Sequence, residues 1–213
     1  MSIIEAVRRV SDEQARVWAE TYYGRGAGQT PYTGAYFEQV GTGTADPNTI
    51  NSSDLYAASC LAVHIPAPAG VGLLFAYAED IRTLLSQVPS CDLREITETE
   101  YEDTLGLQSP AQKLWELLRA AHRDRWGVGP TRASKIFARK RPHLIPIEDS
   151  VVNRVIGLGR ADSWRVWWEA FQEDGDYLEE RAETVRVAAS RPNLSSLRAL
   201  DVMLWMSGRE SEG

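Results

Sequence analysis

The chain is poor in the residues that build metal centres. Its two cysteines, Cys60 and Cys91, stand 31 positions apart, and its three histidines, His64, His122 and His143, are scattered singly. Neither set has a metal-ligand spacing, so no metal is expected. No apolar run approaches the roughly 18 to 20 residues of a membrane span. The start, Met-Ser-Ile-Ile-Glu-Ala-Val-Arg-Arg, reads as an amphipathic helix rather than as the basic region and apolar core of a signal peptide. Isolated thiols without an export signal fit a reducing cytoplasm. There is no repeat, no low-complexity tract and no strand-length alternation, so a sheet-based fold is not expected.

What is present suits an all-α fold. The 213 residues are 43% hydrophobic and 25% charged, the balance of a soluble globular protein, and the length suits one helical domain over 1–213. Ile4, Val7, Val10, Ala15 and Trp18 mark one or two helices, with a restart at Ser11-Asp12-Glu13. Residues 22–50 are rich in Gly, Thr, Pro and Tyr and lack helical period, which predicts a long ordered loop or a short hairpin. Ser52-Ser53-Asp54 caps a helix that Pro66 and Pro68 end, and another runs from Val71 to Leu85. Ser109-Pro110 opens a helix striped by Leu114, Trp115, Leu117, Leu118 and Ala121. Beyond a Gly157-Leu158-Gly159 stop, helices are expected through Trp164 to Phe171, from Leu178 to Ala189, and from about Ser195. The tail at 208–213 is expected to fray.

Charge is unevenly spread. The net charge of −7 argues against indiscriminate nucleic-acid binding. Between Arg119 and Arg141, however, eight cations (Arg119, Arg123, Arg125, Arg132, Lys135, Arg139, Lys140, Arg141) face one acid, Asp124, for a local +7 that leaves −14 on the rest. Asp92 to Asp103 nets −5 and Glu169 to Glu183 nets −6. Such polarisation steers a polyanion to one face, and it equally describes solvated helix faces. Of the seven tryptophans, Trp115, Trp164, Trp167, Trp168 and Trp205 fall at helical intervals and read as core. Trp126, beside the glycines, is the one expected to be partly exposed.

The cationic tract surrounds Gly127-Val128-Gly129-Pro130. Glycine supplies the positive φ that a short reversal between helices needs, and Pro130 suits the first position of the next helix. Such a turn points N–H groups and the positive end of a helix dipole at solvent, an arrangement suited to a phosphate. Arg132, Lys135, Arg139, Lys140 and Arg141 are placed to extend that grip. Pro142 ends the helix, Pro146 keeps the chain extended, and Asp149 stands just before Ser150-Val151-Val152. That position makes Asp149 an N-cap, a role compatible with a second, catalytic one. Glu148-Asp149 does not read as a metal pair, since adjacent side chains at a helix start diverge.

"GVGPTRASKIFARKRPHLIPIEDSVVNRVIGLG" resembles the signature of the helix-hairpin-helix DNA glycosylase superfamily. Gly127, Val128, Gly129, Ala133, Pro146, Ile147, Asp149, Val152, Arg154, Val155 and Gly159 match in order and spacing, within a helix-hairpin-helix core expected over 111–159. The chain as a whole, including "YTGAYFE" and "LRALDVMLWM", is also similar to a bacterial family known as a domain of unknown function. The glycosylase resemblance implies that Gly127, Val128 and Gly129 hold a DNA phosphate, with a monovalent cation as the one candidate ligand and no other cofactor. It implies that Asp149 stabilises oxocarbenium character at the sugar, or activates the attacking water, as an altered base flipped from the duplex departs.

Two departures narrow the expectation. Where bifunctional members carry a nucleophilic lysine this chain has Thr131, so no Schiff base and no β-elimination is expected; Lys135, one turn along, is a poor substitute. The cysteine cluster that holds an iron–sulfur centre in some relatives is absent. The expected function is therefore a monofunctional glycosylase-like hydrolase, with Tyr32, Tyr36 and Phe37 of the long loop contributing to a base pocket. The alternative is a non-catalytic module that binds nucleic acid or a protein on the same scaffold.

Overall fold

Side-chain oxygens open most of the helices. Ser2 and Ser11 accept from the amides of Glu5 and Gln14, which splits the first segment into α1 (Ile3–Arg8) and α2 (Asp12–Tyr23). The computed structural model describes residues 1–26, 28–41, 46–119 and 126–210. Its further helices are α3 (Ser52–Cys60), α4 (Ala67–Val71), α5 (Ala78–Gln87), α6 (Glu98–Leu105), α7 (Pro110–Arg119), α8 (Pro130–Lys140), α9 (Ser150–Val155), α10 (Ser163–Ala189) and α11 (Ser196–Glu210). No strand occurs among the described residues, and the fold is all-α. No helix among them is long and apolar enough to cross a membrane.

Several boundaries differ from the sequence reading for local reasons. The cap of α3 is Asn51, one residue before Ser52, because Asn51 and Asp54 exchange side-chain bonds with each other's amides. The helix expected from Val71 to Leu85 is α4 and α5 joined by a π-helical turn, Gly72–Ala76. The two helices expected between Trp164 and Ala189 do meet at a break, since α10 is two helical stretches joined across a kink at Asp174, whose backbone is non-helical (φ −152, ψ 59). Residues 22–50 begin inside α2, leave it at Gly24 and contain a short 3-10 turn, Thr33–Tyr36. At the C-terminus, Gly208, Arg209 and Glu210 continue α11, and 211–213 lie outside the described residues.

The chain forms two compact units, one from Met1–Ala35 with Ile145–Gly213 and one from Tyr36–Leu144. In the first, α10 packs on α2 and α11, α1 lies on α10 and α11, and α9 rests on α11. Trp18, Trp164, Trp167, Trp168, Val185 and Leu200 fill its core. Gly208 sets the approach of α9: a Cβ there would lie 2.4 Å from Val151 and 2.8 Å from Val155. In the second unit α8 packs on α3 and α7, and α7 also meets α5 and α6. Leu73, Ile81, Leu85, Leu114, Ile136 and Phe137 are its fully buried centre.

Candidate functional site

The glycine turn is built against the second unit from three sides. Gly127 is left-handed (φ +74), the one conformation in the turn that favours glycine, and Pro66 packs where its Cβ would project. Trp126 is not exposed, as its place beside the glycines suggested, but buried at 8%. Its Nε1 donates to the carbonyl of Leu118 at the end of α7 (2.7 Å), its ring meets Tyr77 edge-on, and Gly72 leaves the notch that it fills. Arg132 braces the turn from α8, donating Nε to the His64 carbonyl (2.6 Å) and Nη1 to the Gly127 carbonyl (2.9 Å). Gly129 is the N-cap of α8, no side chain caps that first turn, and Pro130 stands at its start. Val128 is buried, whereas Gly127 and Pro130 are exposed.

The cations that follow are turned inward. Lys135 and Arg141 are each 2% exposed. Lys135 donates to the carbonyl of Leu61 (2.8 Å), the C-cap of α3. Lys140 reaches Asp54 (2.6 Å) and the Asp46 carbonyl (3.2 Å), while Arg139 bonds the Val40 carbonyl and lies 3.5 Å from Asp54. Arg141 donates to the carbonyls of Leu85 and Val88 at the end of α5, to those of Pro47 and Lys140, and to the Asn48 side chain. Cations at the C-terminal carbonyls of α3 and α5 meet the negative end of each helix dipole, which offsets part of their desolvation. Because Lys135 meets the end of α3 and Lys140 its first turn, the two helices run antiparallel.

The physical reason is the position of α8. A helix covered on several sides has few directions in which to send a long side chain to water, so its cations satisfy buried carbonyls. The same device recurs in the first unit, where Arg181 bonds the Val10 carbonyl and Arg186 the Leu194 carbonyl. Of the remaining sequence candidates, Thr131 is half-buried on the first turn of α8. Arg123, Arg125 and His122 lie outside the described residues.

Asp149 belongs to the first unit. It is the N-cap of α9, half-buried, with Oδ1 accepting from the amide of Val151 at 3.0 Å. The fit of Val151 and Val155 against Gly208 fixes α9, and with it the carboxylate at its start. Gly157 (φ +66) and Gly159 (φ +60) are both left-handed after α9, the stop that the sequence predicts. Of the loop aromatics, Tyr32 is an exposed member of the first unit, while in the second Tyr36 is exposed and Phe37 is buried beneath Arg139. Cys60 and Cys91 are thiols rather than halves of a disulfide, and burial pushes both up, which keeps them protonated and weakly nucleophilic near neutral pH.

Sequence reasoning saw the cationic tract but missed its partner. Asp54 is visible in the sequence as a capping residue and gives no signal of being the buried counter-charge of Lys140. The packing of Trp205 on Tyr22 and Tyr32 was likewise illegible, since it joins positions 183 and 173 residues apart.

The chain belongs to a family of unknown function, DUF6308, whose model matches residues 15–208. No curated protein and no solved structure matches it.

Proposed function

We propose that the protein binds duplex DNA through the main chain of the Gly127–Thr131 turn and acts on it as a monofunctional, glycosylase-like hydrolase, with Asp149 as the catalytic carboxylate. The observation that carries the reading is the start of α8. A left-handed glycine leads into an N-cap glycine, and no side chain makes a capping hydrogen bond to the first helical turn. Amides there suit an anion. The match of Gly127, Val128, Gly129, Pro146 and Asp149 to the helix-hairpin-helix glycosylase signature supports the same reading.

In this reading the DNA contact differs from the one the charges suggest. Lys135, Arg139, Lys140 and Arg141 hold α3, α5 and the chain near Asp46 from within, so main-chain amides take the phosphate and Arg132 keeps the turn in shape. Asp149 would stabilise positive charge at the sugar as the base leaves, or take a proton from the attacking water. Thr131 offers no amine, so the reaction ends at an abasic site with the strand intact.

The inward cations also favour a second reading: a scaffold that binds a nucleic acid or a protein without chemistry. The experiment that decides is base release from duplexes carrying uracil, alkylated, oxidised or hypermodified bases. Release by the wild type, lost in Asp149→Asn, supports hydrolysis. Release by neither protein, or by both equally, removes it.

A further inference from the structure

In the first unit the chain doubles back to build an aromatic stack. Gly24 ends α2 in the left-handed conformation, Pro31 lies against it, and the amide of Tyr32 donates to the carbonyl of Tyr22 at 3.0 Å. That bond lays the Tyr32 ring parallel on Tyr22, with centroids 5.4 Å apart and planes 8° from parallel. Trp205 of α11 meets both rings edge-on, at 5.9 Å and 5.5 Å. Tyr22 is fixed in turn, since its hydroxyl accepts from Arg198 (2.9 Å) and the same guanidinium lies over its ring. The outermost ring, Tyr32, is 40% exposed although its backing is buried or half-buried.

Cations surround this stack. Arg209, exposed on the last turn of α11, lies 5.5 Å over Trp205, and Arg191 lies 5.8 Å over Tyr23, the edge-on neighbour of Tyr22. The acid beside Arg209, Glu210, accepts a bond from Trp18 Nε1 (3.0 Å). A partly exposed ring, in a stack whose Trp205 carries an exposed arginine, meets two needs of one ligand class: a flat π face for a base and a positive charge for its phosphate.

We propose that Tyr32, backed by Tyr22 and Trp205, is a stacking site for an unpaired nucleobase, with Arg209 at the attached phosphate. The site uses residues of the first unit alone and requires neither the glycine turn nor Asp149. Single-stranded nucleic acid and a free nucleotide share this chemistry.

The test is fluorescence anisotropy with a labelled single-stranded DNA 12-mer, competed with a nucleoside monophosphate. Competition at millimolar monophosphate assigns the site to free nucleotides, and its absence assigns the site to the polymer. Tyr32→Ala is expected to weaken binding of the 12-mer about tenfold, Tyr32→Phe to keep it within about twofold because the π face remains, and Arg209→Gln to flatten the salt dependence by about one counterion. Circular dichroism on each variant checks the fold, and Arg209→Gln carries the test should Tyr32→Ala unfold. Wild type that binds neither probe, or variants that bind as well as wild type, overturn the proposal. Because duplex base release is a separate assay, the two readings fail independently.

Discussion

Lys140 holds its ammonium 2.6 Å from the carboxylate of Asp54, and each side chain is 2% exposed. The tract that looks in sequence like a polyanion grip is therefore, at this residue, a buried ion pair tying α8 to the first turn of α3. Breaking a buried pair from one side leaves a charge without compensation. Asp54→Ala is expected to lower unfolding free energy by about 3–5 kcal/mol, read by urea denaturation. The double variant Asp54→Leu/Lys140→Met is expected to recover most of that loss. An Asp54→Ala protein as stable as wild type would remove the pair from the account.

Arg141 supplies a sharper separation of structural from binding roles. Its donors reach four carbonyls and one side-chain amide oxygen, a fork that a single ammonium cannot reproduce. Arg141→Lys keeps the charge yet is expected to cost about 2–4 kcal/mol of stability, while duplex affinity per folded molecule changes less than twofold. Loss of affinity without loss of stability would return Arg141 to the phosphate contact.

Gly72 makes room for the tryptophan that seats the glycine turn. A Cβ at this position would fall 2.1 Å from the Trp126 ring. Gly72→Ala must therefore displace the ring or the π-helical turn, at about 1–3 kcal/mol. Thermal melting checks the stability. A red shift in tryptophan emission is expected as Trp126 loses its bond to the Leu118 carbonyl.

Asp92 gives the protein one acid-side dependence that can be assigned. Burial alone would raise its carboxyl, but the facing His143 ring, the Arg94 amide and the charges of Arg94 and His143 outweigh burial and hold it below the usual value. The sign follows. A depressed folded pKa contributes stability above the unfolded value, about 3.9, and that contribution is lost as pH falls through the folded value. Asp92→Asn is expected to be less stable than wild type at pH 7 by no more than about 1 kcal/mol. The gap should close below about pH 4, measured by denaturant titration at several pH values.

The helical plan was legible because it is written locally: Ser11, Ser109-Pro110 and Gly157-Leu158-Gly159 each mark an end that the structure keeps. The π-helical turn at Gly72–Ala76 was not, since it is a small departure inside a continuing helical period. The glycine turn and the capping role of Asp149 were likewise readable from residue type and spacing. The direction of Lys135, Lys140 and Arg141 was not. Whether a long cation snorkels to water or turns to a carbonyl depends on which helices cover its own, and the partners on α3 and at the end of α5 lie 53 to 86 residues upstream in the sequence. Trp126 was misjudged for the same reason, because the notch at Gly72 is a tertiary feature.

The most direct test of a main-chain phosphate contact is the salt dependence of duplex affinity. Each neutralised phosphate contributes a slope of about −0.9 in log K against log[salt]. A contact made by the neutral Gly127–Thr131 amides, with the cations of α8 held inside, predicts a slope no steeper than about −1. A slope of about −5 or steeper would mean that those cations leave their carbonyls for the backbone of DNA, and no measurable binding would contradict the nucleic-acid reading altogether.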